Sequence, residues 1–121
     1  MTTLLHITTD EAWQVAQTAG AYRTGSLETE GFIHCSLPDQ VVDVANARYR
    51  GQDHLVLLVI AEAQVQPEIC YEDCYETGED FPHIYGPLNL DAVMDMLPFP
   101  PGPDGTFTLP EPLRSASGDS S

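Results

Sequence analysis

The chain has 121 residues, which is enough for one domain around one hydrophobic core. Hydrophobic residues make up 42% of it and charged residues 19%, as in a globular protein rather than a disordered one. Nineteen acidic residues against four basic ones give a formal net charge of −15. Because nucleic acids and anionic membranes attract cationic surfaces, we expect neither as a partner. A solubility adaptation explains the acidic surface better than a basic partner does.

Three features of the sequence favour a cytoplasmic protein with free thiols. The longest apolar run, Leu55–Ala61, is far shorter than the ~20 residues of a membrane span. Residues 1–5 carry no positive charge before their apolar side chains, unlike a secretory signal. The cysteines are odd in number, so they cannot all pair within one chain; they are Cys35, Cys70 and Cys74. We therefore expect reduced cysteines and a location in the cytoplasm.

The N-terminal region predicts a strand followed by a helix. Residues 4–8 are mostly apolar and predict the first strand. Thr8 and Glu11 have the spacing of a capping box, in which each side chain binds a free amide at a helix start. Apolar residues, with Trp13 among them, then recur at helical spacing until Gly20 ends the helix.

A loop, a strand and a second helix are predicted next. Residues 21–30 are polar and predict a surface loop, and residues 31–36 predict the second strand. Pro38 fits the first turn of the second helix, because the missing N–H costs nothing there. Ser36 or Leu37 would then cap that helix.

The second half of the chain predicts mainly strands. Residues 55–60 are continuously apolar and predict a central strand that is covered on both faces. Residues 69–75 and 90–97 predict further strands, while the strand residues and two prolines of residues 81–87 favour an edge or a turn into a strand. After a proline-rich extended segment, residues 107–109 predict a short returning strand.

These elements predict a single α+β domain over residues 1–112, with two helices. Residues 113–121 are small and polar and predict a disordered tail.

Polar side chains are paired on three of the predicted strands. Alternation places His6 with Thr8 on one face, His34 with Ser36, and His83 with Tyr85. Burying such groups without partners would cost about 1–3 kcal/mol each, so a shared and partly wet cleft is one explanation. The other is that each polar residue simply faces water. The fourth histidine, His54, lies in a polar turn and is expected at the surface.

Other chemistries fit the residues less well. Three histidines could bind a metal, but they lie on separate elements without a short ligand pair, and we expect no metal. A dyad of Cys35 with a histidine is conceivable, although strand alternation points Cys35 away from His34 and towards the core. The absence of lysine excludes a standard P-loop nucleotide-binding site.

Four motifs resemble those of an uncharacterised family of small bacterial proteins, a domain of unknown function. They are His-Ile-Thr at 6–8, Gly-x-Tyr with Ser-Leu at 20–27, Glu-Gly-Phe-Ile-His-Cys-Ser at 30–36, and Pro-His-Ile-Tyr-Gly-Pro-Leu at 82–88. The resemblance covers roughly residues 3–110. That family is similar in fold to the ADP-ribosyltransferases, in which two small packed β-sheets hold NAD in a cleft. The order of elements also resembles the tRNA 2′-phosphotransferases and the rifampin-modifying ADP-ribosyltransferases.

This resemblance implies a split β-sandwich and an NAD-dependent transferase. The cofactor-binding residues that it implies are His6, Thr8, Arg23, His34 and Ser36, with Arg23 as the arginine that reaches a phosphate. His83 would act as acid or base and Tyr85 would stack on nicotinamide.

The sequence departs from the transferase pattern in two places. Ile7 replaces a glycine of the first motif, and the late strand with His83 and Tyr85 carries no catalytic glutamate. The open hypotheses are an ADP-ribosyl-type transferase, a non-catalytic module for a nucleotide or other small ligand, and an interaction protein with a degenerate cleft.

Overall fold

The computed structural model describes residues 2–73 and 78–113, and within them the chain has the expected α+β fold. The strands are β1 (Thr3–Thr9), β2 (Ala21–Tyr22), β3 (Ile33–His34), β4 (Leu55–Ala61), β5 (Glu68–Glu72), β6 (Phe81–Tyr85), β7 (Leu88–Asn89) and β8 (Val93–Pro98). The helices are α1 (Asp10–Ala19), α2 (Gly25–Thr29) and α3 (Val41–Arg48).

The strands described pair antiparallel into three small sheets. One has the order β1-β4-β8, the second β3-β6-β5, and β2 pairs with β7 in a two-stranded ribbon. The backbones of Leu5 and Ser36 exchange two hydrogen bonds of 2.8 Å, which join the edge of the first sheet to the chain just after β3. Two three-stranded sheets thus meet at one bridge, and the ribbon is an addition to the two sheets predicted.

Strand β4 confirms the prediction of a central strand, because all seven of its residues are buried. Its side chains alternate between two cores, with Leu58 packed in one and Leu57 in the other. The first core includes Trp13 of α1 and Ile84 of β6, and the second includes Val41 of α3. The sheet β1-β4-β8 therefore separates α1 and the second sheet from α3.

The first helix is confirmed, but its cap is Thr9 and not Thr8. The Thr9 hydroxyl accepts a hydrogen bond from the amide of Ala12 at 3.1 Å, and Gly20 ends the helix with a φ of 88°. Thr8 remains in β1, which leaves its hydroxyl available for another contact. The predicted loop 21–30 is wrong in part, because it contains β2 and the short helix α2.

The prediction that Ser36 or Leu37 caps the second helix is wrong. A turn follows Pro38, so α3 begins only at Val41, and its cap residue Gln40 makes no side-chain capping bond. Ser36 instead pairs its backbone with β1.

Residues 81–87 include the strand β6, but the prediction that they lie at an edge is wrong, because β6 is the centre of its sheet. Pro82 has no N–H to donate to a neighbouring strand, but its carbonyl accepts a hydrogen bond from the backbone amide of Cys35 at 3.0 Å.

The C-terminal segment is held by ring packing, and residues 107–109 form no strand. Phe107 stacks on Phe99 with ring centroids 4.8 Å apart, and Leu113 packs against the same core. Cys74 and the tail from residue 114 lie outside the described residues. No helix in the described part of the chain is long and apolar enough to cross a membrane.

Candidate functional site

A cavity of about 740 Å³ lies beside β1, where that strand runs on past the Leu5–Ser36 bridge as the edge of its sheet. Its walls come from β1, from the segment between β2 and α2, from the chain around β3, and from the side and C-terminal end of α3. All five residues implied as cofactor-binding line it: His6, Thr8, Arg23, His34 and Ser36.

The floor of the cavity is built around His6, which is only 7% exposed. Nδ1 of His6 is hydrogen-bonded to the backbone oxygen of His34, and Nε2 lies 2.7 Å from the Tyr22 hydroxyl. That hydroxyl also contacts Oγ1 of Thr8 at 2.8 Å. Both ring nitrogens of His6 are therefore occupied by protein groups, so His6 orders the floor and does not hold a ligand through a nitrogen atom.

Burial sets the protonation of this floor. It lowers the pKa of His6 from 6.5 to about 4, because the charged ring cannot be solvated, although the bond to the His34 carbonyl acts in the other direction. Burial also raises the pKa of Tyr22 to about 12. At neutral pH, His6 is an uncharged ring and Tyr22 an uncharged phenol.

His34 connects the cavity to a cluster of rings. Its Nε2 lies 2.9 Å from Oε1 of Glu30, and its ring meets those of Phe32 and His83 edge-on, at 4.8 and 5.3 Å between centroids. The imidazole is about one-third exposed, so its edge can meet a ligand. Glu30 is exposed, and the bond to His34 lowers its pKa.

His83 and Tyr85 lie next to this cluster but do not line the cavity. His83 is fully buried and stacks on Phe32 at 4.2 Å. Oε1 of Glu72 lies 3.0 Å from Nδ1 of His83 and accepts a 2.6 Å hydrogen bond from the Tyr85 hydroxyl. These bonds, with that of Tyr85 first, lower the pKa of Glu72. The structure thus brings three histidines together, but only His6 and His34 reach the cavity.

Two arginines from distant parts of the sequence line the cavity. Arg23 follows β2 and precedes Thr24, whose hydroxyl caps α2 by accepting from the Leu27 amide, so both of its neighbours are fixed. Arg48 is in the last turn of α3. Arg23 is the arginine expected to reach a ligand phosphate, but Arg48 lines the same cavity.

Two exposed acids, Asp43 and Glu79, also line the cavity. Glu79 is held by the buried side chain of Gln40, whose amide donates to the Glu79 carboxylate at 3.2 Å and to the carbonyl of Asp80 at 2.8 Å. The oxygen of the same amide accepts from the Leu37 backbone, which fixes its orientation. The cavity therefore has a carboxylate in a fixed position, that of Glu79, although strand β6, which follows Glu79 in the chain, has no acidic residue.

Cys35 lies between the cavity and the first core and is buried. Burial raises the pKa of its thiol, so it remains protonated and is not a nucleophile. Across the described residues, no group of three or more histidine, cysteine, aspartate or glutamate side chains is arranged to hold a metal ion.

Sequence reasoning missed Tyr22, Arg48 and Glu79. Tyr22 is part of the Gly-x-Tyr motif, which is a signal that could have marked it. Arg48 falls in the last turn of a predicted helix, where a cation is already suited to the helix dipole, and Glu79 lies in an acidic loop where no single carboxylate stands out.

Solved structures of one protein, CC0527 from Caulobacter crescentus, are similar to this chain over nearly its whole length. Its crystal structure matches with a TM-score of 0.84 and 28% identity, covering 93% of this chain and 99% of that chain. A double mutant of CC0527 gives a TM-score of 0.83 at the same identity and coverage. Its solution NMR structure gives 0.74 and 31%, covering 88% of this chain and 91% of that chain.

No curated protein matches the chain. The descriptions of the CC0527 structures name neither a ligand nor an activity, and they give no support to the ADP-ribosyltransferase resemblance. The family implied by the four motifs is confirmed. The family model of the proteins of unknown function DUF952 matches residues 7–96, and the chain belongs to that family.

Proposed function

We propose that the cavity binds a nucleotide, with NAD among the candidates. One observation carries this proposal. The chain has 19 acidic and only four basic residues, yet Arg23 and Arg48, two of the three arginines in the part that the structure describes, line one cavity. Guanidinium groups are suited to phosphate oxygens, which they can bind with two parallel hydrogen bonds.

The size and lining of the cavity agree with a nucleotide. About 740 Å³ lies within the range of small-molecule sites, about 300–1,000 Å³. Apolar side chains such as Ile7 and Val44 and the ring of Phe81 can cover a base, and the hydroxyls of Thr8 and Ser36 can meet a sugar.

Calorimetric titration with ADP tests this proposal. Arg23→Gln and Arg48→Gln each remove one charge-assisted contact of about 1.5–3 kcal/mol, which weakens binding about 10- to 150-fold. Arg50→Gln is the matched control, because Arg50 is exposed, two residues from Arg48, and does not line the cavity. If all three variants weaken ADP binding equally, the effect is one of net charge and the proposed site is wrong.

A second candidate function is transfer of ADP-ribose from NAD. The position of Glu79 favours it, because a carboxylate at the cavity could steady the cationic sugar formed as nicotinamide leaves. His83 and Tyr85 are the residues expected to be catalytic, but neither lines the cavity, and this favours binding without turnover.

Nicotinamide release from NAD separates these two functions. A transferase releases nicotinamide, and Glu79→Gln abolishes most of that release while Asp43→Asn, the other exposed acid of the cavity, has little effect. A binding module gives a thermal shift with NAD and no release. If NAD gives neither a thermal shift nor nicotinamide release, NAD is not the ligand.

The partners proposed are small molecules only. The net charge of −15 opposes RNA and DNA, and we expect no gel shift with either at physiological salt. A buried free thiol at Cys35 suits the reducing cytoplasm, which we propose as the location.

A further inference from the structure

The cavity runs along one face of α3, and the charged residues on that face are separated along the helix. Four residues that share this face line the cavity: Asp43, Val44, Ala47 and Arg48. Asp43 is in the first turn of α3 and Arg48 in the last. At a rise of about 1.5 Å per residue, Arg48 lies about 12 Å along the helix axis from Gln40, the residue that precedes α3.

Glu79 lies at the end of the cavity that is nearer to the start of α3, because it is bonded to Gln40. The side-chain amide of Gln40 donates to the Glu79 carboxylate at 3.2 Å and to the carbonyl of Asp80 at 2.8 Å, and its oxygen accepts from the Leu37 amide at 2.9 Å. Phe81, two residues after Glu79, begins β6 and also lines the cavity. The cavity therefore has an acidic end near the start of α3 and a basic end at Arg48.

Gln40 fixes the Glu79 carboxylate without lining the cavity itself. Its side chain is 5% exposed and is bonded through both its nitrogen and its oxygen, so its amide has one orientation. Asp43 differs, because it is exposed and its carboxylate has no hydrogen-bond partner in the part of the chain that the structure describes. A carboxylate that is already held in place loses less side-chain entropy when it meets a ligand.

The two charged ends give the proposed nucleotide a direction in the cavity. Guanidinium groups are suited to phosphate oxygens, so the diphosphate lies at the Arg48 end. The sugar then extends along α3 towards Glu79. A carboxylate can only accept hydrogen bonds and is negatively charged, so it suits the hydroxyls of a sugar, which donate, and repels a phosphate.

We infer that Gln40 is a positioning residue, which holds Glu79 where its carboxylate receives the sugar hydroxyls of the nucleotide and excludes a phosphorylated sugar. This inference rests on the proposed nucleotide function and adds to it the orientation of the ligand and its class, a nucleotide whose 2′- and 3′-hydroxyls are free. Because Gln40 acts through Glu79, removing the Gln40 amide has the same effect on the choice of ligand as removing the Glu79 charge.

Calorimetric titration compares ADP with 2′-deoxy-ADP, 3′-deoxy-ADP and ADP that carries a further phosphate on the 2′- or 3′-oxygen. The native protein should bind ADP about tenfold more tightly than the phosphorylated analogues and than at least one deoxy analogue. Glu79→Gln keeps an acceptor for the Gln40 amide but removes the charge, and it should abolish most of the preference over the phosphorylated analogues. Asp39→Asn is the matched control, because Asp39 is exposed near the same end of α3 and does not line the cavity.

The role of Gln40 is measured with Gln40→Met, which keeps the length of the side chain and removes its amide. The preference for ADP per folded molecule should fall as it does in Glu79→Gln, and the double variant should lose no more, because both changes act on one carboxylate. If Gln40→Met lowers Tm but keeps the native preference, Gln40 has a structural role only and the inference is wrong.

Spectra of the native side chain decide the matter if Gln40→Met does not fold. The side-chain amide protons of Gln40 should exchange slowly with solvent, and their signals should shift in Glu79→Gln but not in Asp39→Asn. Signals that exchange fast, or that do not shift in Glu79→Gln, overturn the inference.

The outcomes separate this inference from the proposed function. If no ADP compound binds, the nucleotide function and the inference are both wrong. If ADP binding depends on Arg23 and Arg48 but Glu79→Gln keeps every native preference, the nucleotide function stands and the roles of Gln40 and Glu79 are wrong.

Discussion

His6 should make the folded protein lose stability as the pH falls through 6.5. Its pKa is about 4 in the folded state and 6.5 as a model value for the unfolded chain. Between these values the unfolded state binds the proton more tightly, so acid favours unfolding. Because folding lowers the pKa of this base, the contribution of His6 to the stability of the folded state is present above about pH 6.5 and is lost as the pH falls towards 4.

The magnitude follows from the difference of about 2.5 pKa units. At ~1.4 kcal/mol per unit, the full loss is about 3.5 kcal/mol, of which about 2 kcal/mol falls between pH 7 and pH 5. Glu30 and Glu72 also have lowered pKa values, but they are partly exposed carboxylates that titrate below this window.

Urea unfolding at pH 7, 6 and 5 measures this effect. We compare the native protein with His6→Gln, which does not titrate, and with His54→Gln, which removes an exposed histidine. For an m-value of about 2 kcal/mol/M, the midpoint of the native protein should fall about 1 M further than that of His6→Gln between pH 7 and pH 5. Equal pH slopes for the native protein and His6→Gln would show that His6 does not have a lowered pKa in the folded state.

Three further predictions concern single side chains. Trp13→Ala should lower the free energy of unfolding by about 3–5 kcal/mol while leaving ADP affinity per folded molecule unchanged, because Trp13 packs in the first core, away from the cavity. His34→Ala should weaken ADP binding by about 1.5–3 kcal/mol with little change in Tm, because the imidazole lines the cavity and alanine keeps the carbonyl that binds His6. Cys35 should resist iodoacetamide in the native protein and react after unfolding, as peptide mapping will show, because its thiol is buried with a raised pKa.

Strand alternation was enough to predict four of the side chains that line the cavity. His6 with Thr8 and His34 with Ser36 lie at the end of one sheet and the start of the next, and the Leu5–Ser36 bridge brings these two stretches together. The central strand β4 was equally clear, since a continuous apolar run has no other stable place than between two cores.

Strand alternation cannot predict which neighbouring residues cover each face of a strand. His83 shares a face with His34, but Phe32 stacks over it and leaves no exposed surface. The position of α3 depends on a turn after Pro38 that local capping rules do not fix, and α3 brings Arg48 to the cavity. Contacts between residues distant in sequence, such as that of Gln40 with Glu79, have no local signature.

A crystal structure of the protein soaked with ADP is the most direct test of nucleotide binding in this cavity. We expect density for the diphosphate within hydrogen-bonding distance of Arg23 and Arg48. An empty cavity at millimolar ADP, or a nucleotide bound elsewhere on the surface, would contradict it.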